Sequence, residues 1–260
     1  MKLFDTHAHI GLIQDDKMSQ LLAVQMAKVK GVTHVVSITN SLADFEKTYD
    51  NLKSNSAVLH AVGVSPTEVL SPGQNWEERV TTNAKRDRVI AIGETGLDYH
   101  HYAHAKSQQI ELMLKHLEIA RILDKPVIIH NRDAKDDLLP ILNEKLPPKG
   151  GVLHCFGEDW SFARKVLDLN IFFSFAGNLT FKHNRSLHEV AYHLPLDRIL
   201  IESEAPFMTP HQYKGERNKI HYIIETLYAI AEIRDTAVEE VAEVIYDNSF
   251  RAFALSRNHE

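Results

Sequence analysis

The chain has 260 residues, 44% hydrophobic and 25% charged, with a formal net charge of −6; this is ordinary globular composition, and it excludes a disordered chain or one that grips nucleic acid through a broad basic face. One cysteine, Cys155, excludes an intramolecular disulfide, no run approaches the ~18 apolar residues of a bilayer span, and no signal peptide is visible, so a cytoplasmic protein without membrane contact is expected. The charge leaves a metal nuclease open, because two divalent ions in a pocket would add roughly +4 where a phosphate sits.

In chain order, Leu3 to Ile10 begins as an apolar strand and ends in Asp5, His7 and His9. Side chains alternate along a strand, so His7 and His9 share a side and their nitrogens can converge on one ion. Residues 19 to 29 have helical spacing, with Gly31 as a stop. A second strand covers His34 to Thr39, a helix 41 to 54, and a third strand Val58 to Val64. A helix near Trp76 to Ala84 leads to a fourth strand, Val89 to Glu94. Ala105 to Leu123 is the clearest helix, with an apolar stripe of Ile110, Met113, Leu114, Leu117 and Ala120 and with Gln109 facing away. Strand five is Pro126 to His130, a helix follows at 134 to 146, and strand six is Gly151 to Cys155. Trp160 to Leu169 is helical, Ile171 to Phe175 and Ile199 to Glu202 are strands, and helices at 219 to 233 and 236 to 256 close the chain. Eight apolar strands separated by helices, without a linker or short repeat, predict an α/β fold, a single-domain (β/α)8 TIM barrel over residues 1–260. An open doubly wound sheet is the competing arrangement.

Nearly every strand is apolar until its end, where a polar group stands: His7 and His9, Asn40, Ser65, Glu94, His130, His154, Ser174, and Glu202 with Glu204. In a parallel barrel these ends share the face that builds active sites. Imidazoles and carboxylates are ligands for zinc, manganese or iron, and a carboxylate such as Glu94 can bridge two ions. Such a pair activates water and neutralises phosphate oxygens, giving hydrolysis without a protein nucleophile. Neither a Gly-x-Ser-x-Gly elbow nor a phosphate-binding Gly-x-x-x-x-Gly-Lys-Ser/Thr loop occurs.

The motifs Phe4-Asp5-Thr6-His7-Ala8-His9, Gly93-Glu94-Thr95-Gly96-Leu97-Asp98-Tyr99 and Pro126-Val127-Ile128-Ile129-His130-Asn131-Arg132-Asp133-Ala134 resemble, in family order, those of the TatD-type metal-dependent deoxyribonucleases. So do Leu153-His154-Cys155-Phe156-Gly157 and Asn248-Ser249-Phe250-Arg251-Ala252-Phe253. The resemblance spans essentially the whole chain. It implies a hydrolase that cleaves DNA phosphodiesters at single strands or ends with two divalent ions (Zn, Mg or Mn); a monomer is the favoured state, though no residue fixes the oligomer. It further implies that His7 and His9 bind the first ion, Glu94 bridges, His130 and His154 bind the second, and Glu204 completes the ligands while handling the proton of water. Three positions depart from the family pattern: Glu204 replaces an aspartate, Ser65 a histidine expected near the substrate phosphate, and Asn218-Lys219-Ile220 the usual Asn-Glu-Pro. Rival expectations are a hydrolase of another ester or amide on the same ligands, and a weakened metal- or nucleic-acid-binding homologue.

Four further readings come from the residues themselves. Arg132 faces a substrate phosphate or pairs with a nearby acid. Asp5 orients a ligand or is a buried structural carboxylate. His100, His101 and His104 form an imidazole-rich loop that either stands near a phosphate or is simply solvated, and Cys155 turns away from the ligands into the core.

Overall fold

The computed structural model describes residues 1–257. Eight strands, β1 Leu3–Ala8, β2 Val32–Ser37, β3 Val58–Val62, β4 Val89–Asp98, β5 Val127–Arg132, β6 Gly151–Leu153, β7 Ile171–Phe175 and β8 Ile199–Ile201, form one sheet in sequence order. Each pairs in parallel with the next. Helices lie between them, so the sheet curls into a nearly closed (β/α)8 barrel. The consecutive strand order excludes the doubly wound alternative, in which the order reverses at a switch point. No helix among the described residues is long and apolar enough to cross a membrane.

One buried cluster fills the barrel interior: Phe4, Val36, Leu59, Ala61, Ala91, Ile128, Val152, Phe172 and Leu200 come from all eight strands. The last helix, Val238–Ala252, plugs the lower end. Phe250 and Phe253 pack on Phe4, with ring centroids 5.5 and 6.0 Å away. A second, larger cluster lies between the strands and the surrounding helices. This double burial is why the strands read as unbroken apolar runs.

Several boundaries differ from those expected. The helix placed at 19 begins at Lys17, because Asp16 caps it by accepting from the Ser19 amide at 3.0 Å. A helix at Arg185–His193, unassigned in the sequence, is short and buries only Leu187, Val190 and Ala191. Strand β4 runs four residues past Glu94, its ladder continuing through Gly96↔His130 and Asp98↔Arg132. Gln109 does not face solvent: it is fully buried, with Oε1 accepting from the Asp98 amide at 2.6 Å and Nε2 donating to the Asp98 carbonyl at 3.0 Å.

The seam between β8 and β1 is closed by other means than a regular ladder. Thr6 Oγ1 donates to the Ile201 carbonyl at 3.0 Å, and Asp5 Oδ1 accepts from the amides of Ser203 at 2.8 Å and His7 at 3.2 Å. Beyond β8, the Glu204 amide donates to the His7 carbonyl at 2.9 Å and the His9 amide to the Ala205 carbonyl at 2.8 Å. Asn218 clamps the following loop, donating to the carbonyls of Ser203 and Phe207 at 2.6 and 2.5 Å. Asp5 is fully buried, and its loss would strand two amides. Asp5→Ala should therefore lower unfolding stability by about 2–4 kcal/mol, whereas Asp5→Asn, which keeps the acceptor, should cost less than half of that. Urea denaturation of both variants measures this, and equal losses would remove Asp5 from its role at the seam.

Candidate active site

The strand ends and the loops after them enclose a cavity of about 570 Å³ lined by His9, Glu94, His130, His154 and Glu204 among others. Two of the strands that carry these residues break strict alternation just before them. Phe4 on β1 and Ala91 on β4 face the barrel interior, so alternation alone would turn His7, His9 and Glu94 outward. The β1 ladder slips between Asp5 and Ala8, and the β4 ladder between Ile92 and Thr95. Such irregularities re-aim side chains next to active sites. Strand β5 pairs with β6 without a slip, and His130 shares the inward parity of Ile128. At Gly96 (φ +141°) a Cβ would lie 2.0 Å from the His130 carbonyl, so only glycine allows β4 and β5 to approach this closely.

Glu94 stands between two histidine pairs. Its Oε2 lies 3.7 Å from His7 Nε2 and 3.9 Å from His9 Nε2. Its Oε1 lies 3.0 Å from His130 Nδ1 and 3.5 Å from His154 Nε2. Within each pair the facing ring nitrogens are close, 3.3 Å for His7 and His9 and 3.1 Å for His130 and His154. Glu204 adds Oε2 at 3.3 Å from His7 Nε2 and Oε1 at 3.8 Å from His9 Nε2. Its extra methylene does not take the carboxylate out of reach, because the residue adopts φ +56° and its amide is tied to β1.

The surroundings call for positive charge. Among the described residues every ion-pair partner of Glu94, Glu202 and Glu204 is a histidine, and no lysine or arginine reaches these buried carboxylates. Burial pushes the Glu94 carboxyl up, but His154 and His130 hold it well below the usual carboxylate range. Burial works against a charged His154, yet Glu94, Glu202 and Glu204 raise it well above the usual imidazole range. Burial and the neighbouring His154 keep His7 far below that range, which leaves its lone pair available. Three groups of donor atoms gather within 4.8 Å: His7, His9 and Glu94; Glu94, His130 and His154; and His7, His154, Glu202 and Glu204. Nitrogen and oxygen lone pairs converging in a buried, acid-rich pocket fit divalent cations.

Seven of the eight site residues expected from the sequence line this cavity, and the eighth, His7, is fully buried behind it against Glu94, Glu204 and His154. Ser65 is buried, and its hydroxyl oxygen accepts from Thr67 Oγ1 at 3.0 Å, capping a short turn at Pro66–Glu68. Its own proton is left to donate. Arg132 is exposed at the mouth and has no ion-pair partner among the described residues. Asp5 binds backbone amides, so it is the structural carboxylate of the two readings. Cys155 corrects the expectation of a core thiol: β6 ends at Leu153, Cys155 turns at φ +43°, and it lines the cavity. The imidazole-rich loop is only partly a solvated loop, since His101 lines the cavity and its Nδ1 pairs with Asp98 Oδ2 at 2.9 Å.

Two residues escaped assignment. Asp98 Oδ2 lies 3.4 Å from His130 Nε2, the nitrogen facing away from Glu94, and Glu202 Oε1 lies 3.5 Å from His154 Nδ1. Each carboxylate orients one imidazole of the same pair, as outer partners of ligating histidines do. Asp98 stood in the quoted Glu94 motif and Glu202 at a strand end, but neither spacing discloses a contact to a ring on another strand.

Two relatives named uncharacterized metal-dependent hydrolases align with the chain from end to end. YcfH of Escherichia coli is 35% identical over 258 residues, covering 98% of this chain and 97% of the relative. YabD of Bacillus subtilis is 32% identical over 255 residues, covering 98% and 100%. Among solved structures, the TatD homologue YjjV from E. coli superposes with a TM-score of 0.92 at 23% identity, covering 98% of each chain. A phosphotriesterase homology protein from E. coli, solved with phosphate in its active site, gives 0.72 at 12% identity, covering 97% of this chain and 98% of that one. At these identities the structural likeness is one of fold. The TatD related DNase family matches residues 4–254, and with relatives above 30% identity along its whole length the chain belongs to the TatD family of metal-dependent hydrolases.

Proposed function

We propose that this protein is a two-metal phosphodiesterase that hydrolyses DNA at single strands or ends. The observation that carries the reading is Glu94, which presents one oxygen to His7 and His9 and the other to His130 and His154. His7, His9, Glu94 and Glu204 would hold one divalent ion, and Glu94, His130 and His154 the other. Such a pair, zinc, manganese or magnesium, supplies Lewis acidity toward a phosphate oxygen and lowers the pKa of water toward neutrality. The family's name and the fold's phosphate-binding relative support a phosphate ester as the substrate.

The chain's own groups supply positioning and proton transfer. Glu204, drawn below the usual carboxylate range by His7, His154 and His9 against the effect of burial, is ready to accept a proton from the attacking water. As the water oxygen bonds to phosphorus, the ester P–O bond breaks and the proton passes to the leaving oxygen. The Ser65 hydroxyl donates to a non-bridging oxygen, and Arg132 at the mouth offers a bidentate fork to a neighbouring phosphate. One chain contributes every group, so a monomer suffices.

Metal content tests the ligand set. Glu94→Ala should lose both ions and His130→Ala one, read by elemental analysis after dialysis. Apparent metal affinity should fall as pH drops from 8 to 6, because the raised His154 and His130 must lose protons before they ligate. Unchanged stoichiometry in both variants would refute the assignment.

Cleavage of labelled single-stranded and duplex DNA with each metal tests the reaction. Glu94→Ala should lower kcat by about 10³-fold, about 4 kcal/mol of barrel-held transition-state stabilisation. Glu204→Asp should stay within about tenfold of the wild type, and Glu204→Ala should lose about 10²-fold. Background rates in both wild type and Glu204→Asp, beside turnover of a lactone or phosphotriester, would move the protein to another ester.

A further inference from the structure

Beside the metal cavity lies a second one of about 480 Å³, lined by Lys182, His188, His211, Tyr228 and Glu232 among others. The two are separated by a strap made from the loops that follow β7 and β8. Asn178 and Met208 line the metal cavity, while Leu179, Thr180, His211 and Gln212, their near neighbours in sequence, line the second. The strap is tightly built. A Cβ at Gly177 would fall 2.0 Å from the Met208 carbonyl, the His211 amide donates to Thr180 Oγ1 at 2.7 Å, and the rings of Phe181 and His211 meet edge-on at 5.4 Å.

The strap combines apolar platforms with an excess of positive charge, of which Lys219 is paired with Glu216. Phe207, 49% exposed, stands 5.8 Å from the His9 ring, and Met208 beside it is 38% exposed. On the far side Tyr228 is 45% exposed. Residues 176–188 carry Lys182 and Arg185 and no acid, and residues 207–219 carry Lys214, Arg217 and Lys219 against Glu216, in a chain whose net charge is −6. Lys182 is exposed and has no ion-pair partner among the described residues. Among the described residues Glu232 is the one acid on the wall of the second cavity. Aromatic faces alternating with cations along a path are what binds single-stranded nucleic acid without regard to sequence, each base stacking and each phosphate finding a counter-charge.

Resting on the nuclease reading above, we propose that a single strand leaves the metal cavity across this strap and places a further nucleotide in the second cavity. A base stacks on Phe207 at the crossing, the next on Tyr228, and the phosphate between them faces Lys182. A strand so held contributes binding that a single nucleotide ester cannot.

The test compares a twelve-residue oligothymidylate with the 4-nitrophenyl ester of thymidine 5′-phosphate, whose one diester fills only the metal cavity. Lys182→Glu and Tyr228→Ala should each raise KM for the oligonucleotide about tenfold and leave kcat/KM for the small ester unchanged, while Glu232→Gln should lower the oligonucleotide KM. Fluorescence anisotropy of labelled oligothymidylate gives Kd independently of turnover, and the same tenfold loss is expected there. A Kd unchanged in both Lys182→Glu and Tyr228→Ala overturns the proposal. If the wild type cleaves neither substrate the nuclease reading falls, and the anisotropy still decides whether the second cavity binds the strand. A dimer in sedimentation that Tyr228→Ala dissolves, with oligonucleotide affinity unchanged, would assign the cavity to a second copy and also overturn it.

Discussion

Glu94 is a carboxylate buried where, among the described residues, no lysine or arginine pairs with it, and the upper half of the barrel is arranged around that constraint. A lone buried carboxylate would take up a proton, since the cost of charge in a dry interior exceeds what folding can supply. Glu94 avoids this by facing four imidazoles, two on each oxygen. The arrangement has the composition of a cation site, and the carboxylates around His154 and His130 raise both imidazoles against the effect of burial, as a place that favours positive charge would.

The geometry around Glu94 depends in turn on the barrel seam. His7 and His9 come from the first strand and Glu204 from just beyond the last, so the two ends of the sheet must meet in register for these groups to face one another. Asp5, Thr6 and the backbone bonds from Glu204 to His7 and from His9 to Ala205 hold them there. The seam that closes the fold is also the wall of the site. Outer carboxylates complete the design on the opposite wall, with Asp98 behind His130 and Glu202 behind His154. Asp98 is itself fixed by Gln109 from the helix Lys106–Ile122. The position of an imidazole is thus traceable through a carboxylate and an amide to helix packing.

Much of this could be read in the chain because a parallel barrel gathers its strand ends on one face. Polar residues after apolar runs at His7, Glu94, His130 and His154 therefore pointed to one pocket once eight strands were counted. What the pattern misses is where period two fails. The slips in β1 and β4 turn His7, His9 and Glu94 inward against the parity of Phe4 and Ala91, and no propensity reports a slip of one residue. The left-handed turn at Cys155 has the same character: counting alternation to that point sends the thiol into the core, whereas the strand has already ended. Asp98, Glu202 and Gln109 act through contacts between separate elements, which sequence spacing does not encode. The loops after β7 and β8 pack together through Gly177 and His211, a contact made only once the strands are in order.

The central claim is that one carboxylate, Glu94, joins two cation sites. Anomalous diffraction at the zinc edge from crystals grown with zinc tests it most directly. Two peaks are expected, about 3.5–4 Å apart, one against His7, His9 and Glu204 and the other against His130 and His154, with Glu94 between them. A single peak, or two peaks that do not share Glu94, would contradict the account.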